Sequence, residues 1–391
     1  MIVPSQINTI DDLKILTNRD VPVICLYSGG LDGTFLLYKL QKLGFKKVVA
    51  LTINIGQLEG DESVKRLVES LGAIWQCLDA KTEFILNYIY PAIYCNATYL
   101  GGHPISASLS RPLFAEKAVK EAIVKGCKCI LHTSNASQNS LRRFNTAIKM
   151  LGFEGCFGSP FSMTQISRSE KISTLKSVGI SWEDDKQYSI DDNLWIHEFE
   201  YGDADNPEEI IIPQSLLKLT NRKASDPCEV TITFEEGIPV RINGKEMDGS
   251  ELIGTLNNVI GSYGHGRYVW LEELPDGRKV QEIREAPAAL ILFDAYRRIE
   301  SAILSSEDIR EKQHIEQLWV REASEGRWFG KLRPACQAFA KDLAKFVTGQ
   351  IRYVLTPEGI QPKSLKANKP LYIIDRQIYE KGLANNRHDR P

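Results

Sequence analysis

Residues 23–37 read VICLYSGGLDGTFLL: an apolar run, then Tyr27, Ser28, Gly29, Gly30, Leu31 and Asp32, then Gly33 and Thr34 opening an apolar-periodic helix. A strand that turns on adjacent glycines into a helix belongs in a layered α/β sheet, with the turn at the strand's carboxyl end. The glycines let a ligand approach the backbone, and the helix start adds unpaired amides and the positive end of its dipole. Hydroxyls at Ser28 and Thr34 supply further donors for an anion. The unit reads as a phosphate cradle, and the chain as one that handles a nucleotide. The loop has no G-K-[ST], hence no lysine of its own for β and γ phosphates, and it does not match G-x-G-x-x-G. Asp32 would face a triphosphate. It reads either as the N-cap of the helix or as a contact, through a magnesium-bound water or an amide, that holds the loop in shape.

The pattern then repeats. A helix at 34–43 stops at Gly44, and a strand follows at 47–53. A helix at 61–71 stops at Gly72, a strand follows at 74–78, a helix at 111–125 stops at Gly126, and 129–132 is another short apolar strand. Strands alternating with glycine-terminated helices predict a doubly wound parallel sheet over residues 21–180, preceded by an N-terminal extension at 1–20. Ligand loops at 28–34, 54–57 and 132–139 would share its carboxyl edge. Beyond residue 180 the rhythm changes. Segment 229–243 alternates like antiparallel strands around Glu236 and Gly237, 249–262 looks helical, 268–273 alternates again, and Pro287 suits the first position of a long helix. A helix at 334–348 and a strand at 350–355 complete an α+β domain at 181–355. The C-terminal tail, 356–391, carries Pro357, Pro362 and Pro370 and reads as loosely held.

With 391 residues, 43% of them hydrophobic, the chain can bury the cores of two or three domains, and a formal charge of −2 gives no global attraction to nucleic acid. The eight cysteines form no C-x-x-C pair, and the six histidines show no metal spacing. No apolar stretch reaches the ~20 residues of a membrane span. The expected setting is a reducing cytoplasm, without membrane or nucleic-acid partners. His132 ends a strand and reads as structural; Trp195 reads as core, His265 and Arg267 as parts of a glycine turn, and Asp191 and Asp192 as a turn or helix cap.

The order S-G-G-x-D resembles the pyrophosphate loop of the N-type ATP pyrophosphatases. Together, YSGGLDGT (27–34), NIGQLEGDE (54–62), SLSRPLFAEKAVKEA (108–122), YSIDDNLWIHEFEYGDADNPEE (188–209), GHGR (264–267) and EAPAALIL (285–292) resemble the argininosuccinate synthase family in order and spacing, from about residue 22 to about 375. The resemblance implies a C–N ligase that uses ATP and Mg2+ to adenylate a citrulline-type ureido group and couple it to an aspartate-type amine, releasing AMP and pyrophosphate. It also implies a homo-oligomer, a dimer or tetramer, acting on small amino-acid-like substrates. Carried over by position, Ser28, Gly29, Gly30, Asp32 and Thr34 would bind phosphates, with Tyr27, Leu31, Gly33 and Thr133 beside the nucleotide and Ile53 near the adenine. Ser28, Asp32 and Arg111 would act in the chemistry. Ser108, Asn139, Arg143, Ser189 and Glu272 match positions that contact citrulline, Arg111 would serve an anionic substrate group, and Asn135 and Ser140 fall in the adjoining substrate segment.

The departures from the family concentrate where specificity is set. Gly33 replaces a hydroxyl residue. Segment 133–144 lacks the family's lysine, three glycines and aspartate, and Ser140 cannot supply that aspartate's charge. The citrulline tyrosines appear as His103 and Arg284, and a serine appears as Glu198. New charges in a pocket point to a ligand of altered charge, because an unpaired buried charge is costly. The alternatives are that Glu198 and Arg284 pair with each other, that the enzyme takes a different substrate and amine, or that the chain is a non-catalytic nucleotide-binding paralogue.

Overall fold

The computed structural model describes residues 6–16, 18–57, 62–182 and 188–386. Its first layer is a six-stranded sheet in the order Gln6–Ile7, Cys156–Gly158, Cys129–Leu131, Val23–Leu26, Val48–Asn54, Ala73–Asp79, with every neighbouring pair parallel. The period-2 alternation of these apolar strands separates two cores. Ile24, Val49 and Leu51 pack with the helix Ala107–Lys125 on one face, while Val23, Cys25 and Ala50 pack with the helix Leu31–Lys42 on the other. The doubly wound parallel arrangement expected from the sequence is therefore present. The N-terminal stretch is part of it: Gln6–Ile7 joins the sheet edge, and Thr9 caps the helix Ile10–Ile15 through a capping box.

The second layer system is antiparallel. One sheet runs Arg267–Glu273, Lys279–Glu285, His197–Glu200, Ser189–Asp192; another runs Lys245–Glu246, Ile238–Ile242, Cys228–Glu235, Gly349–Thr356, Gly359–Ala367. Helices Gly249–Gly261 and Pro287–Ile303 share the larger core with the five-stranded sheet and with Ala107–Lys125.

Several sequence-based boundaries need correction. The first long helix starts at Leu31, three residues before Thr34, because Gly30 is the cap and the amide of Thr34 already reaches the Gly30 carbonyl at 3.1 Å. Asp32 is inside the first turn and is not the N-cap. The helix expected at 111–125 begins at Ala107 and carries Pro112 in its sixth position. Asp191 and Asp192 lie in a strand, where they make ion pairs, and cap no helix. The tail is not loose throughout. Gly359–Ala367 pairs along the whole of Gly349–Thr356, and the register shift opposite Pro362 absorbs the missing amide, as edge strands allow.

Candidate functional site

The glycine loop joins Leu26 to the helix Leu31–Lys42, so it sits at the carboxyl edge of the parallel sheet. Gly29 has φ +81°, a left-handed conformation that side-chain-bearing residues rarely adopt, and a Cβ there would meet only Val64, at 3.8 Å. No side chain caps the helix, which leaves its first amides directed at the loop. Thr34 takes a different part from the one expected. Its buried hydroxyl donates to the Gly30 carbonyl at 2.9 Å and accepts from the Tyr27 hydroxyl at 3.0 Å, so it shapes the loop and offers no outward donor. The absence of a side chain at Gly33 has a steric cause. A Cβ there would stand 2.8 Å from the Tyr27 ring.

Asp32 is held by a partner that sequence reading missed. Lys171, on the helix Arg168–Ser177, reaches across 139 residues to bond Asp32 Oδ1 at 2.8 Å, with its ammonium 4.9 Å from the Phe161 ring centroid. The loop without a lysine of its own thus has one beside it.

The neighbouring strand, Cys129–Leu131, leads to Thr133 and Asn135, and then to the helix Asn139–Met150. His132 is neutral, pushed down to about 4 by burial. It bonds Asn145 at 2.9 Å and accepts the Ser134 amide, as suits a structural histidine. Asn135 accepts from the amide and hydroxyl of Ser137. Arg111 pairs with Asp191 at 2.7 Å and donates to Ser140 Oγ at 3.2 Å. Ser108 is buried on the same helix as Arg111, and Ile53 is buried near the end of the strand Val48–Asn54.

Asn139 and Arg143 lie on the first turns of their helix and meet one face of the four-stranded antiparallel sheet. Its register places Glu198 opposite both Arg284 and Asp191, and Ser189 opposite Glu200. Period-2 alternation then puts Glu198 with Glu200, and Glu282 with Arg284, on that face. Arg143 bonds Glu272. Arg284 bonds Glu198 and Glu282, contacts Glu272 at 3.1 Å, and donates to the Pro104 carbonyl at 3.2 Å. Asn139 donates to Glu272 at 3.2 Å and to the Glu273 carbonyl at 2.9 Å. Arg143, Arg284, Glu198, Glu272, Glu282, Asn139 and His103 are all buried. The structure thus gathers five expected substrate residues, Asn139, Arg143, Glu198, Glu272 and Arg284, from four elements into one ionic cluster, with His103 buried nearby, and Glu198 and Arg284 do pair. Glu200 and Glu282 were missed, although each stands two residues from an expected member, the spacing that shares a strand face.

Electrostatics divide the carboxyl groups. Burial alone would raise Glu272, but Arg143 and Arg284 outweigh it and hold this carboxyl ionised, well below its usual range. Burial pushes Glu282 far up despite Arg284, so it keeps its proton and bonds Glu272. Burial, reinforced by the charges of Glu198 and Glu272, pushes Glu200 up to about 7. A raised carboxyl favours the fold while protonated, and that contribution is lost as pH climbs from the unfolded value near 4.5 through 7. Glu200→Gln is therefore expected to be more stable than the parent at pH 8 by about 1–2 kcal/mol, with the difference vanishing near pH 4.5. Urea titrations at the two pH values check this, and a variant equally stabilised at both would refute the assignment.

Among the described residues, no helix is long and apolar enough to cross a membrane, and no three His, Cys, Asp or Glu side chains converge as a metal cage. Comparison with known proteins gives a consistent result along the chain. Residues 22–181 match the arginosuccinate synthase N-terminal HUP domain and residues 188–389 the arginosuccinate synthase C-terminal domain. The chain is 34% identical to argininosuccinate synthase of Sulfurisphaera tokodaii over 341 residues, covering 87% of each chain. It is also 34% identical to that of Pyrococcus furiosus, covering 92% of this chain and 88% of the relative, and to that of Dictyoglomus turgidum, covering 92% and 91%. With both domain matches in sequence order and relatives 34% identical over most of their length, the matches lead to one assignment: the chain belongs to the argininosuccinate synthase family of ligases.

Proposed function

We propose that the chain is an ATP-dependent C–N ligase that forms AMP and pyrophosphate. The β and γ phosphates of ATP rest on the amides of Gly29, Gly30 and the helix start, with Ser28 as a hydroxyl donor and Ile53 beside the adenine. A citrulline-type ureido oxygen attacks the α-phosphorus and pyrophosphate departs. The amine of an aspartate-type donor then adds to the activated carbon, AMP leaves with the bonding pair, and the amine proton passes to solvent. No protein nucleophile takes part, because positioning and charge stabilisation carry the reaction.

The observation that carries this reading is that two adjacent parallel strands lead on, one to the uncapped helix at Leu31 and the other to the helix whose Asn139 and Arg143 meet the buried Glu272. A magnesium ion would neutralise charge on the departing pyrophosphate. The donor set fits an ion carried mainly on the phosphates, with Asp32 the carboxylate of the loop and Lys171 beside it. The exposed apolar side chains of Ile374, Ile378 and Leu383 support a homo-oligomer.

Pyrophosphate release with ATP, a ureido substrate and aspartate, set beside the same mixture lacking each, tests the reading. Release is expected to require the ureido compound. ADP in place of AMP, or release independent of that compound, would overturn it.

A further inference from the structure

The phosphate cradle is short of side-chain donors. Thr34 turns its hydroxyl inward to Gly30 and Tyr27, and Gly33 has no side chain, so Ser28 carries the one hydroxyl left to the loop. Residues 27–34 include no cation. Cleavage of ATP between its α and β phosphates leaves the developing charge on the departing pyrophosphate, and the loop by itself meets that charge only with amides and a helix dipole.

Lys171 brings a full charge to the same place. It lies on the helix Arg168–Ser177, whose Ile172 and Leu175 are buried in one core with Leu31, Phe35 and Phe161, and this packing fixes the stem. Its ammonium donates to Asp32 Oδ1 at 2.8 Å. Asp32 is the second residue of the helix Leu31–Lys42, and helix side chains lean toward the N-terminus, so the pair sits beside the uncapped amides.

The ammonium is also incompletely partnered. A lysine has three N–H donors, and the other deeply buried lysine shows what they demand. Lys312, 1% exposed, meets the Tyr94 carbonyl at 2.6 Å, Glu300 at 2.8 Å, and Glu316. Lys171 is 8% exposed, yet among the described residues Asp32 is the one acceptor it meets, with the Phe161 ring centroid 4.9 Å away. Two donors are left over beside the helix start, and buried donors of a charged group are costly to leave unmatched.

Resting on the ligase reading above, we infer that Lys171 is a catalytic residue supplied to the phosphate loop from outside it: its ammonium receives the β and γ phosphates of ATP, and Asp32 positions it. As the substrate oxygen bonds to the α-phosphorus, the bond from that phosphorus to the bridging oxygen breaks, and its electron pair stays on the pyrophosphate. Lys171 keeps its protons and meets the new charge through its spare donors. That interaction strengthens toward the transition state, so it raises kcat more than ATP affinity.

Calorimetric titration of the full chain with inorganic pyrophosphate, and separately with AMP, at neutral pH and fixed magnesium, tests the assignment. Lys171→Met keeps an unbranched apolar stem and removes the charge. It is expected to weaken pyrophosphate binding at least about tenfold and to slow pyrophosphate release from ATP by about 10²-fold, with AMP binding within about twofold of the parent. Lys171→Gln replaces it if circular dichroism shows the methionine variant misfolded. A lysine that merely neutralises Asp32 makes a different prediction. Its loss would act by baring the Asp32 charge to the anion, and Asp32→Asn in the Lys171→Met background would then restore pyrophosphate affinity. With Lys171 as the phosphate cation, the double variant stays weak. Unchanged pyrophosphate affinity in Lys171→Met, an equal loss of AMP affinity, or recovery in the double variant would overturn the inference. Product analysis reads the reaction class separately. ADP formed by the parent would refute the ligase reading, whereas AMP formation with unchanged pyrophosphate affinity in Lys171→Met would refute this inference alone.

Discussion

Replacing Arg284 by leucine is expected to destabilise the fold by about 3–5 kcal/mol at neutral pH, the range found when one partner of a buried ion pair is removed. The side chain neutralises Glu198 and Glu272 and bonds Glu282, all of them buried. Leucine would fill part of the volume but leave Glu272 with Arg143 alone and Glu198 with no cation in the cluster. Because burial already raises Glu198, it can escape the penalty by binding a proton. The loss should therefore shrink as pH falls from 7.5 toward 5. A second change, Glu198→Leu in the Arg284→Leu background, should recover stability, since an apolar pair of similar volume often equals a buried ionic one. Urea denaturation of the parent, Arg284→Leu, Glu198→Leu and the double variant measures the coupling. A single-variant loss below about 1 kcal/mol would mean that the cluster is solvated in solution and behaves as a surface ion pair.

The second large effect is expected on nucleotide handling. Gly29→Val should weaken ATP binding and slow pyrophosphate release by about 10²–10³-fold, the cost of losing a preorganised anion donor. The backbone at Gly29 is left-handed, where a β-branched residue carries strain of about 1–3 kcal/mol. Relief requires the peptide to rotate, and rotation turns its amide away from the anion. The position is open, with only Val64 nearby, so the effect comes from backbone conformation and not from a clash in the core. Thermal stability should accordingly change little. Gly29→Ala, with a smaller conformational penalty, should fall between. Isothermal titration with ATP and a pyrophosphate assay read the two effects, and full activity in the valine variant would remove this loop from the phosphate site.

Legibility of the sequence followed the range of the forces involved. The strand 23–26, its glycine loop and the alternation of later strands with helices were readable because apolar periodicity and glycine turns act within a few residues. The terminal strand at 359–367 was not. Its prolines argued against a strand, and only pairing with 349–356, with a register shift at the proline, makes an extended edge there favourable. The start of the helix at Leu31 was likewise hidden, because a glycine cap has no side-chain signature.

The site divided in the same way. The residues that carry the resemblance, including Asn139, Arg143 and Glu272, could be named from local motifs, and the charge changes at Glu198 and Arg284 could be seen as departures from them. The sequence by itself determined the glycine loop, the doubly wound sheet and which side chains bring unusual charge. Only the tertiary structure decided what those charges meet: Lys171 on Asp32, Asp191 on Arg111, and two further glutamates against Arg284. Ion pairs depend on separations of a few ångströms between segments as much as 139 residues apart. Such distances are set by strand register and helix packing, and no local pattern encodes them.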